Sequence, residues 1–236
     1  MDTDTLAGTL SRCPMFASLD RPELSALAGT CSDHSYGAGE IVCLRGDTRD
    51  CMYVVAVGSV AVSLSAEDGR DVLLAVLGPC DSFGELAIVD GGPRVATITA
   101  RTRTTLVVVP RAPVAELLTR RPLVAAAVLQ ALAVMVRRLD EHACDLIVLD
   151  LPRRVEKYLA RLVTPADAHI PRGRNDQSDG LVPVQLDLNQ ADLARQVGGS
   201  RQQVNRILMN LEEAGSIERL GHRIVSIRPN ALYSGN

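Results

Sequence analysis

Phe83-Gly-Glu-Leu-Ala-Ile-Val-Asp-Gly-Gly-Pro-Arg-Val-Ala-Thr97 is the stretch that decides the fold of this 236-residue chain. Arg94 carries a planar guanidinium that can bind a phosphate through two parallel hydrogen bonds. Glu85, nine residues earlier, offers a carboxylate that can accept from a hydroxyl group. The three glycines of the run let the backbone approach an anion closely and point amide groups at it. The combination predicts a site for a phosphate-bearing ligand, and a β-turn with a single ion pair is the alternative.

The same run resembles the phosphate-binding cassette of cyclic-nucleotide-binding domains, as found in the cAMP receptor protein/FNR family and in cyclic-nucleotide-regulated kinases. The Gly-Glu-Leu-Ala string, the nine-residue step and the Pro-Arg pair all match. The resemblance implies that the arginine binds the cyclic phosphate and that the glutamate accepts from the ribose. An alignment to the family without gaps from Arg94 extends the resemblance to the long helix downstream. The cyclic-nucleotide-binding residues that the resemblance implies are Phe83, Gly84, Glu85, Leu86, Pro93, Arg94, Val95, Leu139 and Asp140.

Short apolar segments divided by Gly and Asp turns predict β-strands between residues 37 and 109. The clearest of them are residues 52–57, 60–64, 72–77 and 104–109. This spacing favours an antiparallel sandwich or barrel, and the succession of motifs resembles the jelly roll of cyclic-nucleotide-binding domains. Cys80 stands where that family usually has Gly, so we expect a strained or altered turn there.

Residues 122–149 carry the longest helical pattern of the chain. Six apolar residues and one histidine recur along it at alternating steps of four and three: Val128, Leu132, Met135, Leu139, His142, Leu146 and Leu149. A heptad seam of this length needs a partner. One side is expected to pack on the jelly roll and the other on the same helix of a second subunit, which matches the dimer helix of the family. Burial inside a monomer is the alternative.

Residues 189–215 predict two helices joined by a tight turn. Asn189 is placed to cap the first helix, a pair of glycines ends it, and Ser200 caps the second. The second helix has an apolar face for the core and a polar face left outside, as in a helix–turn–helix that enters the major groove of DNA. Residues 217–227 then predict a small hairpin wing.

This segment resembles the winged helix–turn–helix of the cAMP receptor protein/FNR family. The candidate DNA-binding residues are Asn189, Gln190, Ser200, Arg201, Gln202, Asn205 and Arg206. Arg201 and Arg206 can pair bidentately with guanine, and Ser200 can bind a phosphate. Gln202 stands where the family commonly has Glu. Because an amide both donates and accepts, it suits adenine, so we expect a half-site different from the usual one. A helix–turn–helix used only for protein contacts is the alternative.

Together these segments predict an α+β chain of three parts. Residues 1–121 would form an N-terminal antiparallel β jelly roll of the cyclic-nucleotide-binding type, which holds the effector. Residues 122–150 would form the dimerisation helix, and residues 151–236 the C-terminal winged helix–turn–helix that binds DNA. Residues 164–183 are rich in Pro, Gly and Asp and predict an exposed loop.

Composition narrows the class of protein further. The net charge is −3, so DNA binding depends on the local arrangement of residues. The chain has neither an uninterrupted apolar run of eighteen residues nor a basic-then-apolar leader, which favours a soluble cytoplasmic protein without a membrane role. The six cysteines are scattered and are expected to be reduced, without a metal. The four histidines form no catalytic constellation, so no catalytic residue is assigned. An enzyme gated by a cyclic nucleotide is the alternative from another class.

The resemblance implies a homodimeric bacterial transcription regulator that binds double-stranded DNA and RNA polymerase and is switched by a small effector, with no further cofactor. Arg94 together with Glu85 favours a cyclic mononucleotide, and Val95, which lacks a hydroxyl, favours cAMP over cGMP. Members that respond to cAMP often place Thr or Ser where this chain has Leu139 and Asp140. A different effector, such as cGMP or cyclic di-GMP, or DNA binding independent of any effector, is therefore the alternative.

Overall fold

The computed structural model describes residues 1–65, 71–163, 182–183, 190–220, 223–228 and 232. The chain divides into two compact units, residues 1–138 and 139–236. The boundary between the units falls inside one continuous helix. Asn189, the predicted cap of a helix in the second unit, lies outside the described residues.

The described strands of the first unit form two antiparallel four-stranded sheets, ordered β1-β8-β3-β6 and β2-β7-β4-β5. Their bounds are β1 Ser32–Tyr36, β2 Ile41–Cys43, β3 Cys51–Val57, β4 Val60–Ser65, β5 Asp71–Leu77, β6 Ser82–Phe83, β7 Thr97–Ala100 and β8 Thr104–Pro110. Residues from both sheets, among them Tyr53, Leu106 and Ile98, share one apolar core. The predicted antiparallel jelly roll and its strands are confirmed.

The helices of the first unit cover a second apolar core on the outside of β3. Their bounds are α1 Thr3–Arg12, α2 Arg21–Ala28, α3 Glu85–Asp90, α4 Arg111–Arg120 and α5 Pro122–Val148, the last of which continues into the second unit. Leu10 from α1, Met52 from β3 and Val128 from α5 belong to this core. Helix α2 begins with a capping box, in which the Asp20 side chain accepts from the Glu23 amide and the Glu23 side chain accepts from the Asp20 amide.

Cys80 is the one non-glycine residue with positive φ among those the structure describes, at φ 74°. Left-handed backbone is unfavourable for a residue that has a Cβ. The turn is nevertheless held on both sides, since the Cys80 amide donates to the Val55 oxygen and the Asp81 amide to the Gly78 oxygen. The expected strain at this position is confirmed.

Helix α5 buries one face and leaves the adjacent face open. Within the predicted seam, Val128 belongs to the core of the first unit and Leu132 packs against that core. The most exposed apolar residues of this helix that share a face are Leu129 at 67%, Val136 at 64% and Ile147 at 84%. Each follows a seam position by one residue, and one residue turns a helix by about 100°. Leu139 and Leu146 of the predicted seam are also exposed, at 44% and 43%, so which of these residues face a partner stays a prediction.

Length and composition would allow α5 to cross a membrane. An 18-residue window within it has a mean hydropathy of 1.6, and 11% of that window is buried. The helix also carries Arg137, Arg138, Asp140 and Glu141 in its second half. An apolar helix that packs against a partner helix has the same composition, so this feature by itself is weak support for a membrane role.

The second unit is a small helical domain with a three-stranded sheet ordered β10-β11-β9. Besides the end of α5, its elements are α6 Leu151–Val163, β9 Val182–Pro183, α7 Gln190–Val197, α8 Arg201–Glu213, β10 Ile217–Leu220 and β11 Arg223–Ile227. Val182 and Pro183 pair with Ile227 and Ser226, so the prediction of a loop through residue 183 is wrong at its end. The Pro in the sequence of this segment favours a loop, but Pro is tolerated in an edge strand, and β9 lies at the edge of its sheet. Residues 164–181 lie outside the described part of the chain.

Ion pairs tie the last part of α5 to α6 within the second unit. Lys157 Nζ lies 2.5 Å from Asp145 Oδ1, and Arg161 Nη2 lies 2.9 Å from Glu141 Oε2. Arg161 also approaches Asp145 Oδ2 at 3.7 Å, which joins the two pairs into one network. The final turns of α5 therefore belong structurally to the helical domain.

Candidate functional site

Gly84 sets the geometry of the cassette. It caps the N-terminus of α3 in the left-handed region, at φ 88°. A Cβ built on it would lie 2.0 Å from Arg94 Nη1, a distance that no side chain tolerates. Only glycine satisfies both conditions, and the close approach brings the arginine against the start of the helix that carries Glu85.

Arg94 is buried, with 5% of its surface exposed. Its Nη1 donates to the Gly84 oxygen at 3.2 Å and its Nη2 to the Cys51 oxygen at 2.6 Å. The guanidinium carbon lies 5.4 Å from the centre of the Tyr53 ring, within cation–π range. Nε has no hydrogen-bond partner among the described residues. A positive charge is thus fixed in the jelly roll with part of its donor capacity unused.

Glu85 supplies an unpaired acceptor in the same cassette. Its Oε2 is buried and has no hydrogen-bond partner within the described part of the protein. Burial raises the pKa of this carboxyl above its ordinary value, and the charge of Arg94 offsets only part of that effect. A buried carboxylate oxygen without a donor is costly. A ligand hydroxyl would supply the missing donor.

The other predicted ligand residues lie in different surroundings. Phe83 is buried and stacks on Tyr53 with ring centres 5.0 Å apart. Leu86 is half-buried, whereas Pro93 and Val95 are exposed. Leu139 and Asp140 lie on α5 in the second unit, where both are exposed. The part of each in ligand binding stays a prediction.

Tyr53 and Cys51 are the neighbours of Arg94 that reasoning from the sequence left out of the site. Both lie on β3, next to the cassette strand β6, and Tyr53 is directly opposite Phe83. Burial raises the pKa of the Tyr53 hydroxyl to about 12, so it stays protonated. A Tyr at this point of a strand was visible in the sequence, but the backbone oxygen of Cys51 has no sequence signature.

The helix–turn–helix of the second unit presents its predicted reading face to solvent. Val204, Leu208 and Leu211 of α8 are buried in the domain core. The side chains of Arg201, Gln202 and Arg206 point away from that core and are exposed. This confirms the predicted division of the helix into a core face and a polar face.

Ser200 starts α8 with a reciprocal capping box. Its Oγ accepts from the Gln203 amide at 3.2 Å, while its own amide donates to Gln203 Oε1 at 3.1 Å. The cap satisfies two amides that a helix N-terminus otherwise leaves unpaired. The predicted cap is confirmed, and the exposed hydroxyl still has a proton to donate to a phosphate oxygen.

Gln190 and Asn205, two of the predicted DNA-binding residues, form a hydrogen bond with each other. Gln190 is 6% exposed, and its Nε2 donates to Asn205 Oδ1 at 3.1 Å. Arg219 of the wing donates to the same oxygen from Nη1 at 3.3 Å and pairs with Glu212 through Nε at 2.7 Å. Arg219 and Glu212 were not among the predicted site residues. Their roles depend on long-range packing that the sequence pattern does not show.

Comparison with known proteins assigns both units. Residues 33–121 match the cyclic nucleotide-binding domain, and residues 153–234 match the Crp-like helix-turn-helix domain. The CRP-like cAMP-activated global transcriptional regulator of Mycobacterium tuberculosis is 32% identical over 216 residues, which are 92% of this chain and 93% of that protein. This chain belongs to the Crp family.

Two further known proteins are similar over nearly the whole length of the chain. The Cyclic AMP receptor protein of Thermus thermophilus is 31% identical over 222 residues, covering 93% of this chain and 94% of that one. The c-di-GMP responsive regulator CLP of Xanthomonas campestris has the same fold, with a TM-score of 0.71 at 23% identity over 88% of this chain and 99% of that one. The chain is therefore a cyclic-nucleotide-binding transcription regulator with a DNA-binding winged helix–turn–helix, and it is not an enzyme.

Proposed function

We propose that this Crp-family protein is a homodimeric, cytoplasmic regulator whose DNA binding is controlled by cAMP in the jelly roll. The observation that carries the choice of ligand class is the presence of two buried, incompletely bonded groups in the same cassette, on Arg94 and on Glu85. One side chain brings a buried positive charge with an unused donor, and the other a buried oxygen without a donor. A cyclic phosphate and a ribose hydroxyl are the chemical groups that complete both.

The preference for cAMP rests on two further observations. Val95 is 52% exposed beside Arg94 and has no hydroxyl with which to hold a guanine. The relatives from Mycobacterium tuberculosis and Thermus thermophilus are described as cAMP-activated and as a cyclic AMP receptor. In this proposal Phe83, Leu86 and Pro93 form the walls of the site and Gly84 its floor.

The second candidate function is regulation by a different effector, or DNA binding that does not change when an effector binds. Leu139 and Asp140 stand where cAMP-responsive members often have Thr or Ser, and an exposed carboxylate at Asp140 is an acceptor for a base amino group. The regulator CLP of Xanthomonas campestris, which has the same fold, is described as c-di-GMP responsive. Cyclic di-GMP and cGMP therefore belong in every binding experiment.

The dimer is proposed to form along the open face of α5. Leu129, Val136 and Ile147 share that face and are exposed in the single chain. Pairing two copies of one helix through such a stripe gives an isologous, self-complementary interface. In this arrangement residues 1–121 hold the effector, 122–150 join the subunits and 151–236 bind DNA.

DNA binding is proposed to use the N-terminal part of α8. Arg201, Gln202 and Arg206 would read base edges, while Ser200 and Asn189 would hold the backbone. Two copies in a dimer would meet half-sites about one turn of DNA apart. RNA polymerase is the further partner expected of a regulator that acts at promoters.

Calorimetry with cAMP, cGMP and cyclic di-GMP, each in the presence and absence of operator DNA, tests the proposal. We expect cAMP to bind most tightly and to raise DNA affinity at least about fivefold, the lower end of the usual range of allosteric coupling. Tight cAMP binding without any change in DNA affinity would contradict control by cAMP. Tighter binding of cyclic di-GMP would show that cyclic di-GMP, and not cAMP, is the effector.

A further inference from the structure

Asn205 lies on the outward side of α8 with the predicted base-reading residues. It follows Arg201 by four residues and Gln202 by three, the spacings that place side chains on one face of a helix. Unlike those two it is half-buried, because it also contacts α7 and the wing. The orientation of the Asn205 amide, and which of its hydrogen-bonding groups are free, therefore determine which base edges this face can recognise.

The hydrogen bonds decide which way the Asn205 amide points. A guanidinium has only donors, so the atom that faces Arg219 Nη1 at 3.3 Å must be the oxygen Oδ1. Gln190 Nε2 then donates to the same oxygen at 3.1 Å. The assignment follows from the chemistry of Arg219, which removes the usual ambiguity of an asparagine side chain.

The two bonds use the whole accepting capacity of Asn205. An amide oxygen has two lone pairs, and Asn205 Oδ1 accepts from two donors. The nitrogen Nδ2 keeps its hydrogens almost unused, since its described contact is a 4.0 Å approach to the sulfur of Met209. What Asn205 can still offer is a donor.

The surroundings hold this amide in place. The side chain of Arg219, on the wing strand β10, is only 12% exposed and forms an ion pair with Glu212. Because Glu212 lies on α8, as Asn205 does, this pair joins β10 to α8. Gln190 is buried on α7. Rotating the Asn205 amide would leave two buried donors unpaired, at a cost that a contact with DNA does not easily repay.

We propose that Asn205 meets DNA as a hydrogen-bond donor only, and that Gln190 and Arg219 are the positioning residues that impose this. An unconstrained asparagine recognises adenine with one donor and one acceptor together. Asn205 lacks the free acceptor, so it cannot make this bidentate contact with adenine and prefers guanine or thymine, whose polar major-groove edges offer only acceptors. The inference rests on the proposed entry of α8 into the major groove.

Selection of half-sites from a random DNA pool tests the assignment, with Asn205→Asp as the main variant. The new carboxylate keeps an oxygen for Gln190 and Arg219 but replaces the free donor by an acceptor. We expect one position per half-site to change from guanine or thymine to a base that donates, cytosine or adenine, and affinity for the wild-type site to fall about tenfold. Asn210→Asp adds the same charge to the exposed outer side of α8 and is the matched control, with the half-site unchanged.

A second variant tests the positioning role. Gln190→Leu removes one donor to Asn205 Oδ1 and so frees a lone pair; adenine should then become acceptable at the same position. Thermal unfolding of each variant checks that the domain is folded.

The outcomes separate this inference from the function on which it rests. Selection of adenine at that position by the wild-type protein would overturn the donor assignment, and so would an unchanged half-site for Asn205→Asp. Either result leaves DNA binding itself standing if Arg206→Ala still relaxes the selected site. Failure of the wild-type protein to enrich any half-site would contradict the proposed DNA-binding function.

Discussion

Arg94 and Cys51 are joined by a hydrogen bond of 2.6 Å from the guanidinium Nη2 to the backbone oxygen. The bond spans 43 positions of sequence and ties the cassette to the strand β3 at the centre of its sheet. The residue proposed to hold the ligand phosphate is thus also part of the folded frame. Its substitution is expected to affect both ligand binding and stability.

Arg94→Ala is expected to lower cAMP affinity at least about a hundredfold, because it removes a charge-assisted contact in a site shielded from water. It should also cost about 1–3 kcal/mol of the free energy of unfolding, since the oxygens of Gly84 and Cys51 lose their donor. Calorimetry and urea unfolding measure the two effects. Arg120→Ala on the exposed side of α4 is the control, and an affinity within threefold of wild type would contradict the phosphate assignment.

Glu85→Gln is expected to stabilise the ligand-free protein at neutral pH while weakening cAMP binding. Burial raises the pKa of this carboxyl above its ordinary 4.5, so between pH 4.5 and the raised pKa the folded state holds a proton that the unfolded state has already lost. The destabilisation is absent below pH 4.5 and grows as pH rises above it. Urea unfolding should therefore show a larger gain at pH 7 than at pH 4. Glu116→Gln, which is exposed, should show little change at either pH, and an equal gain for Glu85→Gln at both would contradict the argument.

Cys80→Gly is expected to raise the free energy of unfolding by about 1 kcal/mol, because glycine adopts the left-handed backbone of this turn without strain. Chemical unfolding of the ligand-free protein measures the gain. Cys80→Ala keeps a Cβ and should give no gain. Stabilisation by alanine equal to that by glycine would point to the thiol instead of the backbone.

Val136→Asp is expected to dissociate the proposed dimer at micromolar concentration, since it places two carboxylates in an apolar interface. Gln130→Asp introduces the same charge about 120° away around α5 and should leave the dimer intact. Sedimentation velocity distinguishes monomer from dimer. A dimer that survives Val136→Asp but not Leu139→Asp would return the interface to the seam predicted from the sequence.

Gln202→Glu is expected to move the preference at one base pair per half-site toward C·G, because a pure acceptor replaces a group that both donates and accepts. The expected size is about 1–3 kcal/mol per base pair. Selection from a random DNA pool measures it, with Gln203→Glu as a control on the neighbouring residue of the cap. The same half-site for Gln202→Glu and wild type would show that this side chain does not read bases.

Local patterns in the sequence were sufficient for most of the architecture. The strands β3, β4, β5 and β8 and the helix α5 follow from short-range periodicity. The Ser200 cap needs only residues within one turn of each other. Such features depend on neighbours in sequence, so they can be recognised before the chain is folded.

Contacts between distant segments could not be predicted in the same way. The partners of Arg94 come from β3 and the start of α3, and those of Asn205 come from α7 and the wing. The heptad pattern of α5 predicted the helix, but the exposed stripe that begins at Leu129 could not be distinguished from it, because two stripes one residue apart have nearly equal apolar content. The packing of Val128 and Leu132 in the core of the first unit depends on the folded chain.

Lys157 is the single lysine among the 236 residues and faces Asp145 in the ion-pair network between α5 and α6. Acylation of side-chain amines would therefore act at one place in the chain. It would remove the positive charge next to Asp145, while the arginines, including Arg161, would stay charged. Besides the N-terminal amine, an amine-reactive fluorophore would label the junction of these two helices, without any cysteine or lysine having to be engineered.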